Sequence, residues 1–275
     1  MNASLWAMML LLGQQPATST PEPDNKVEAE QARAVAKLLA HEYEIQLDQA
    51  SDEKLKLQPE PVFRWLLQLD RRFYSDVYLW THEGRPEVVA AITNVYGQRR
   101  AMETEIHSLS AHQPIMSHQG QIVWQPDRPG LELEPLSGAA PPQASAAARL
   151  RQMRALAAEH AMTAVYDGTK KEDLRLLSTP VYRYASEKLG ITDGALFAFV
   201  RGTDPEAFLM LEARQGEGGV EWHSAFARFC GHCSLAAKRD GREVWNADVL
   251  PAKVNTDPKQ PYFGLRRYSD FPVVK

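Results

Sequence analysis

Long apolar runs are missing from this chain of 275 residues. The longest, Leu5 to Leu12, holds eight residues. That is too few for a helix to cross a bilayer, so no stable membrane span is expected in the mature chain. An excess of basic charge is missing too. The formal net charge is −4, the pI is near 6.1, and no Lys/Arg stripe stands out, which argues against a nucleic-acid partner. Nucleophile and phosphate signatures are absent: there is no Gly-x-Ser-x-Gly, no Walker loop and no Gly-x-Gly-x-x-Gly. His41-Glu42 opens like the zinc-protease helix motif, but Ile45 stands where the second His is required. Cysteine occurs only at Cys230 and Cys233, so no second Cys pair completes a standard zinc set.

What is present is repetition. Leu55-Lys56-Leu57 and Pro61-Val62-Phe63-Arg64-Trp65 return as Leu174-Arg175-Leu176 and Pro180-Val181-Tyr182-Arg183-Tyr184, a shift of 119 positions. Pro86-Glu87 falls on Pro205-Glu206 at the same shift, and Gly120 to Trp124 returns as Gly241 to Trp245 at a shift of 121. Repetition is read before fold, because it changes what each segment is. It also supplies an internal control: chemistry present in one copy and absent from its twin is not what the unit was built for.

Each copy opens on an i, i+3, i+4 stripe, within 27–47 and 148–166, that reads as a helix. Extended segments follow, with Pro61 and Pro180 marking edge or irregular chain. Val77 to Thr81 with Val88 to Thr93, and Leu196 to Val200 with Ala207 to Glu212, read as hairpins closed by Gly- and Pro-containing turns. Alternation puts Tyr78 and Trp80 on one face, with Phe197 and Phe199 at the same places in the twin. Val77, Leu79, Leu196 and Ala198 lie opposite, so both faces are apolar and both need cover, one from a helix and one from the other copy or a second subunit. The expected fold class is α+β: two tandem repeats, each one helix packed on a mostly antiparallel sheet of about five strands. The expected layout is a signal-like or disordered N-terminus over 1–24, repeat 1 over 25–134, a Pro/Ala-rich linker over 135–147, repeat 2 over 148–250 and an extended tail over 251–275. Tyr262, Phe263, Tyr268 and Phe271 suit that tail to an apolar groove. The run Leu5 to Leu12, followed by small residues Ala17-Thr18-Ser19, fits the core of a secretory signal without the usual preceding positive charge, and predicts export to the periplasm or outside the cell.

Candidate chemistry concentrates at Cys230-Gly231-His232-Cys233, which resembles the active-site tetrapeptide of protein disulfide isomerases, although no Trp precedes it and no long helix follows. The twin has Leu109, Ser110, Ala111 and His112 here. Cys230 and Cys233 are therefore a candidate thiol pair, a local disulfide, or part of a metal site with His223 and His232. On an extended strand Cys230 and His232 face one way and Cys233 the other, unless the chain turns at Gly231. His107, His112 and His118 read as solvated or locally bonded. Glu87 and Glu206 read as solvated charges or turn hydrogen-bonders at hairpin exits. Arg64 and Arg183, each between aromatics, are placed to stack, to pair with those glutamates or to contact a ligand.

The stretch Val77 to Val89, with His82-Glu83-Gly84-Arg85-Pro86 at its turn, resembles the first hairpin of the FMN-binding split-barrel family. That resemblance implies a flavin at a dimer interface, with Arg99 and Arg100 as candidate phosphate contacts. Across both copies, Pro180 to Tyr184, Gly194 to Val200 and Gly241 to Trp245 make the chain similar to uncharacterised planctomycete-type bacterial tandem-repeat proteins, a family with no assigned activity. The leading expectation is an exported, non-catalytic module with no resident cofactor. It would bind an unknown protein or small ligand through Arg64, Trp65, Tyr78, Trp80, Arg183, Tyr184, Phe197 and Phe199. The alternatives are an FMN-dependent oxidoreductase and a thiol or metal protein using Cys230 and Cys233.

Overall fold

Short X-Gly turns and apolar strands dictate most of the architecture. The computed structural model describes residues 23–48, 53–97, 100–216 and 218–267. The first half runs α1 (Pro23–Glu42), β1 (Tyr43–Gln46), β2 (Lys56–Leu57), β3 (Phe63–Gln68) and β4 (Arg72–His82). It continues through β5 (Arg85–Tyr96), β6 (Ala101–Ser108), β7 (Ile115–His118), β8 (Gln121–Trp124) and β9 (Glu134–Pro135). The second half runs α2 (Ala146–Ala158), β10 (His160–Tyr166), β11 (Lys170–Leu176), β12 (Tyr182–Ser186) and β13 (Ile191–Arg201). It continues through β14 (Asp204–Gly216), β15 (Gly219–Arg228), β16 (Cys233–Arg239) and β17 (Arg242–Ala247), and α3 (Ala252–Asn255) and β18 (Tyr262–Arg267) close the described chain. Among the described residues, no helix is long and apolar enough to cross a membrane. The signal-like segment lies outside the described residues.

The described residues are mostly β, with 53% strand and 15% helix in three sheets, one of them a half-barrel. This overturns the expected α+β class and its two units of one helix on a five-stranded sheet. The helices end early. From His160 onward burial alternates along the chain, and Thr163 and Val165 are β-branched, so 160–166 is strand β10 and not the end of α2. Tyr43 and Ile45 likewise bury on alternate positions, which makes 43–46 a strand. The sheets also divide unequally. In the second half β10 and β11 tie everything into nine strands, in the order β17-β16-β10-β11-β13-β14-β15-β9 with β12 on β13. In the first half β1-β7-β8 stand apart from the six-stranded β18-β6-β5-β4-β2 with β3 on β4.

Three cores result. Tyr78, Trp80, Val88, Ala90 and Ile92 bury against Val35, Ala36 and Leu39 of α1. Phe197, Phe199, Leu209 and Leu211 bury against Met153, Leu156 and Ala157 of α2. The opposite faces, Val77, Leu79, Val89 and Ala91 with Leu196, Ala198, Val200, Phe208 and Met210, share one core. The order through the molecule is helix, sheet, sheet, helix. The tail is more than an extended cover: β18 adds a strand beside β6 and sets Tyr262 into the core between the sheets. Tyr268 and Phe271 lie outside the described residues.

A buried cation pins the two sheets. The β4–β5 turn takes positive φ at Glu83 (47°) and Gly84 (84°), the two-residue geometry that a right-twisted hairpin favours. That turn aims Arg85 into the interface. Its Nε donates to Glu212 Oε1 at 2.8 Å, and its Nη1 donates to Glu87 Oε1 at 2.9 Å and to Leu109 O at 3.1 Å. Tyr184 OH donates to Glu212 Oε1 at 2.7 Å, and Arg214 Nη1 to Glu212 Oε2 at 2.7 Å. Tyr182 OH closes the contact by donating to Gly84 O at 3.2 Å. Arg85→Met leaves Glu87 and one oxygen of Glu212 buried without their cation. Urea unfolding at neutral pH is expected to show a loss of about 3–5 kcal/mol, with part of it recovered by adding Glu212→Gln.

Candidate functional site

The eight aromatic and arginine candidates do not form one surface. Tyr78 and Trp80 lie in the core under α1, and Phe197 and Phe199 in the core under α2. Alternation paired them correctly on equivalent faces, but the face between the halves is the one carrying Val77, Leu79, Leu196 and Ala198. Arg64 Nε donates to Asp76 Oδ1 at 3.2 Å, and Trp65 is buried beside it on β3. Arg183 grips Asp193 through Nε at 2.9 Å and Nη2 at 2.6 Å, and Tyr184 is bonded to Glu212. Arg100 lies over the Tyr96 ring at 4.5 Å, and Arg99 lies outside the described residues. The three clustered histidines go to separate partners. His107 Nδ1 is 2.6 Å from Ser108 O, His112 Nδ1 is 3.1 Å from Asp48, and His118 Nε2 is 2.8 Å from Glu42. His107 is also buried, not solvated, and that burial pushes its pKa down to about 4.

The expectation of solvated glutamates is corrected as well: Glu87 and Glu206 are each 3% exposed. They occupy twin positions on β5 and β14 but have opposite neighbours. Arg85 precedes Glu87 by two residues and neutralises it. At the twin position stands Asp204, so Glu206 has no Arg or Lys ion pair among the described residues. Instead Tyr166 OH donates to Glu206 Oε1 at 2.7 Å, and Cys233 Sγ is 3.8 Å from Oε2.

The strand-to-strand turn after β15 completes the cluster. Phe229 N donates to Glu206 O at 2.7 Å, which fixes the turn on β14. The chain then folds back at Gly231, where a Cβ would stand 2.2 Å from Asn255 Oδ1, so no side chain fits. That reversal brings together thiols which an extended strand would set on opposite faces. Cys230 Sγ lies 2.8 Å from Cys233 Sγ and 3.4 Å from His232 Nδ1. Donor atoms of Glu206, Cys230 and His232 all fall within 4.8 Å of one another. The buried Arg228 clamps the turn from behind: its Nε and Nη2 donate to Cys230 O at 2.9 and 2.7 Å, and Nη2 also to Cys233 O at 3.3 Å. His223 sits farther up β15, beside Glu221, and does not join.

The surroundings are rich in carboxyl groups. Burial, then Glu105 and Glu206, push Asp204 up to about 9. Burial pushes Glu105 up to about 7, against the hydrogen bond that Tyr262 OH donates at 2.6 Å. Hydrogen bonding to Cys230 raises His232 to about 9, with Glu206 and Glu105 adding to it and burial opposing. Contact with Cys233 and burial push the Cys230 thiol up. A cavity of about 320 Å³ lined by Glu103, Glu105, Asn255 and Gly264 adjoins the turn through Asn255. Carboxylates held together out of water favour an added cation, and sulfur, imidazole and carboxylate are the donor types of a zinc-class ion. Both thiols are buried, Cys230 at 1% and Cys233 at 0% exposure, which closes them to a disulfide carried by another protein.

Tyr166 and Asp204 join the candidate site without any sequence motif, and Glu206 joins it in a place that a hairpin-exit glutamate does not suggest. The signal that finds them is the exchange of Arg85 for Asp204 between twins, beside a glutamate both copies keep.

Glu105 and Asp204 hold their protons more tightly folded than unfolded. Their contribution to stability is full below pH 4 and is lost as pH rises through about 7 for Glu105 and about 9 for Asp204. In metal-free protein, Asp204→Asn and Glu105→Gln are therefore expected to raise the unfolding midpoint at pH 8. The gain should shrink to nothing by about pH 4, as read by denaturant titration across that range.

No protein-family model matches the chain, and no curated protein or solved structure matches it either.

Proposed function

We propose that this protein binds a thiophilic divalent cation of the zinc class through Glu206, Cys230 and His232. The observation that carries this reading is a buried carboxylate with no Arg or Lys ion pair among the described residues, set within 4.8 Å of a thiol and an imidazole. Tyr166 orients the carboxylate, and Arg228 orients the turn that bears the thiol, as outer hydrogen bonds do around bound metals. Two thiolates on one zinc stand roughly 3.7 Å apart. The sulfurs here are 2.8 Å apart, so Cys233 becomes a fourth ligand only by turning its side chain away from Cys230. Otherwise the fourth place is left to water. Binding needs no reaction, in keeping with a non-catalytic module.

A second reading rests on that same 2.8 Å separation: Cys230 and Cys233 close a local disulfide. Elemental analysis and thiol titration of the purified full chain separate the two. Metal binding predicts about one zinc per chain and two thiols that react only after chelation and denaturation. Disulfide closure predicts no zinc and no reactive thiol in denaturant. Cys230→Ser and Glu206→Gln are expected to abolish zinc uptake, while Tyr166→Phe weakens it by about 10-fold. Unchanged zinc content in Glu206→Gln would remove the carboxylate from the site.

A further inference from the structure

We propose a second site, at the opposite end of β10 and β16 from the metal centre: the cavity between the end strands of the nine-stranded sheet binds a small primary ammonium ion with an apolar body, its N–H groups on His160 and Glu134 and its body against Trp245. β17 and β9 are those end strands, and residues of both line one cavity of about 470 Å³. The sheet therefore curls without closing. The space it leaves falls in the ~300–1,000 Å³ range of small-molecule sites.

Register fixes which side chains face that space. Glu134 pairs with Ser224, so both point to the face that carries Trp222 and Phe226, and Glu132, two residues earlier, follows. Leu131 and Leu133 alternate into the core between the sheets. Across the cavity His160 pairs with Arg239, and Trp245 with Ala237, on the same inner face.

His160 is the group that lacks a partner. It is 6% exposed, and its Nδ1 lies 2.9 Å from Leu156 O. A carbonyl only accepts, so Nδ1 carries the proton. Burial, with Arg239 adding to it, holds its pKa below the ordinary imidazole value against that hydrogen bond, so the ring is neutral at pH 7. Nε2 is then a bare acceptor in the cavity wall, with no donor bonded to it among the described residues. A ligand has to bring the hydrogen.

Charge decides which ligand. Glu159 neutralises Arg239 by accepting from its Nε and Nη2 at 2.8 Å each, and Ser137 O accepts from Nη1 at 2.7 Å. Glu132 and Glu134 have no ion pair among the described residues. The wall thus offers two uncompensated carboxylates, one neutral acceptor and the stacked rings of Phe226 and Trp245, 5.4 Å apart. An anion is repelled there, and a neutral alcohol leaves the carboxylates unused. An ammonium on an apolar body answers all three, since aromatic rings also attract cations. The first half closes the equivalent place with its own chain. Trp124, the counterpart of Trp245, is fully buried, its Nε1 donates to Gln260 O at 2.9 Å, and Gln125 N and Asp127 N donate to Pro258 O and Lys259 O. Trp245 is only half-buried.

Calorimetric titration of the full chain with n-butylamine and phenethylamine tests this. 2-Phenylethanol and 3-phenylpropionate are the neutral and anionic controls, and trimethyl(2-phenylethyl)ammonium is a cation without N–H. Saturable binding of at least one primary amine is expected, with none by the alcohol or the carboxylate. The quaternary ion should bind at least about tenfold more weakly than the primary amine, because it cannot donate to His160. Glu132→Gln combined with Glu134→Gln, both exposed, should weaken amine binding about fivefold or more, and His160→Phe at least about tenfold. Zinc uptake should be untouched in both variants. Binding of neither amine, or equal binding of the alcohol, the carboxylate or the quaternary ion, overturns the proposal in the wild-type protein alone. So does unchanged amine affinity in the double glutamine variant.

Discussion

Two hairpins that are apolar on both faces must each be covered twice, and that constraint organises the molecule. One cover is a helix. The other is the partner hairpin, so β4–β5 packs on β13–β14 with Val77, Leu79, Leu196 and Ala198 between them. Burial of this kind is non-directional and would tolerate sliding. Arg85 removes that freedom. A guanidinium with donors in a fixed fork, bonded to Glu87 in its own half and Glu212 in the other, admits few relative positions of the sheets. Tyr262, brought in by the last strand, fills the same core from a third direction.

The two halves share a succession of pairings. β4 pairs with β2, β3 and β5, and β13 pairs with β11, β12 and β14. Their chemistry has diverged in complementary ways. The first half neutralises its buried glutamate with Arg85, and the second leaves Glu206 among Asp204, Tyr166 and two thiols. The second half fills its helix-side carboxylate, Asp193, with Arg149, and the first leaves Asp76 with one oxygen unbonded. At the glutamate, the first half shows the closed form of a place that stays open in the second. The candidate metal site is thus a departure from a pattern the chain itself supplies.

Much of this was legible before the structure. The hairpins, their X-Gly turns and the pairing of Tyr78 and Trp80 with Phe197 and Phe199 follow from period-2 alternation and turn chemistry. Helix ends were not legible, because Ala161 and its neighbours satisfy a helical stripe and a strand alternation equally well over so few residues. The site was visible only in part. The Cys-Gly-His-Cys tetrapeptide stands out by composition, but Glu206 looks like any hairpin glutamate until β14 is known to lie beside the turn.

The amino-acid order by itself determined the two hairpins, the recurrence of short sequence elements and the demand that both hairpin faces be buried, since side-chain direction along a strand depends only on neighbouring residues. Only the tertiary structure decided which face met the helix and which met the other half, and that Arg85 belongs to Glu212, 127 positions away. It alone showed that Glu206, Tyr166, Cys230 and His232 share one small volume. Those outcomes depend on how strands far apart in the chain are stacked and paired, and no spacing along the chain encodes a distance across a sheet.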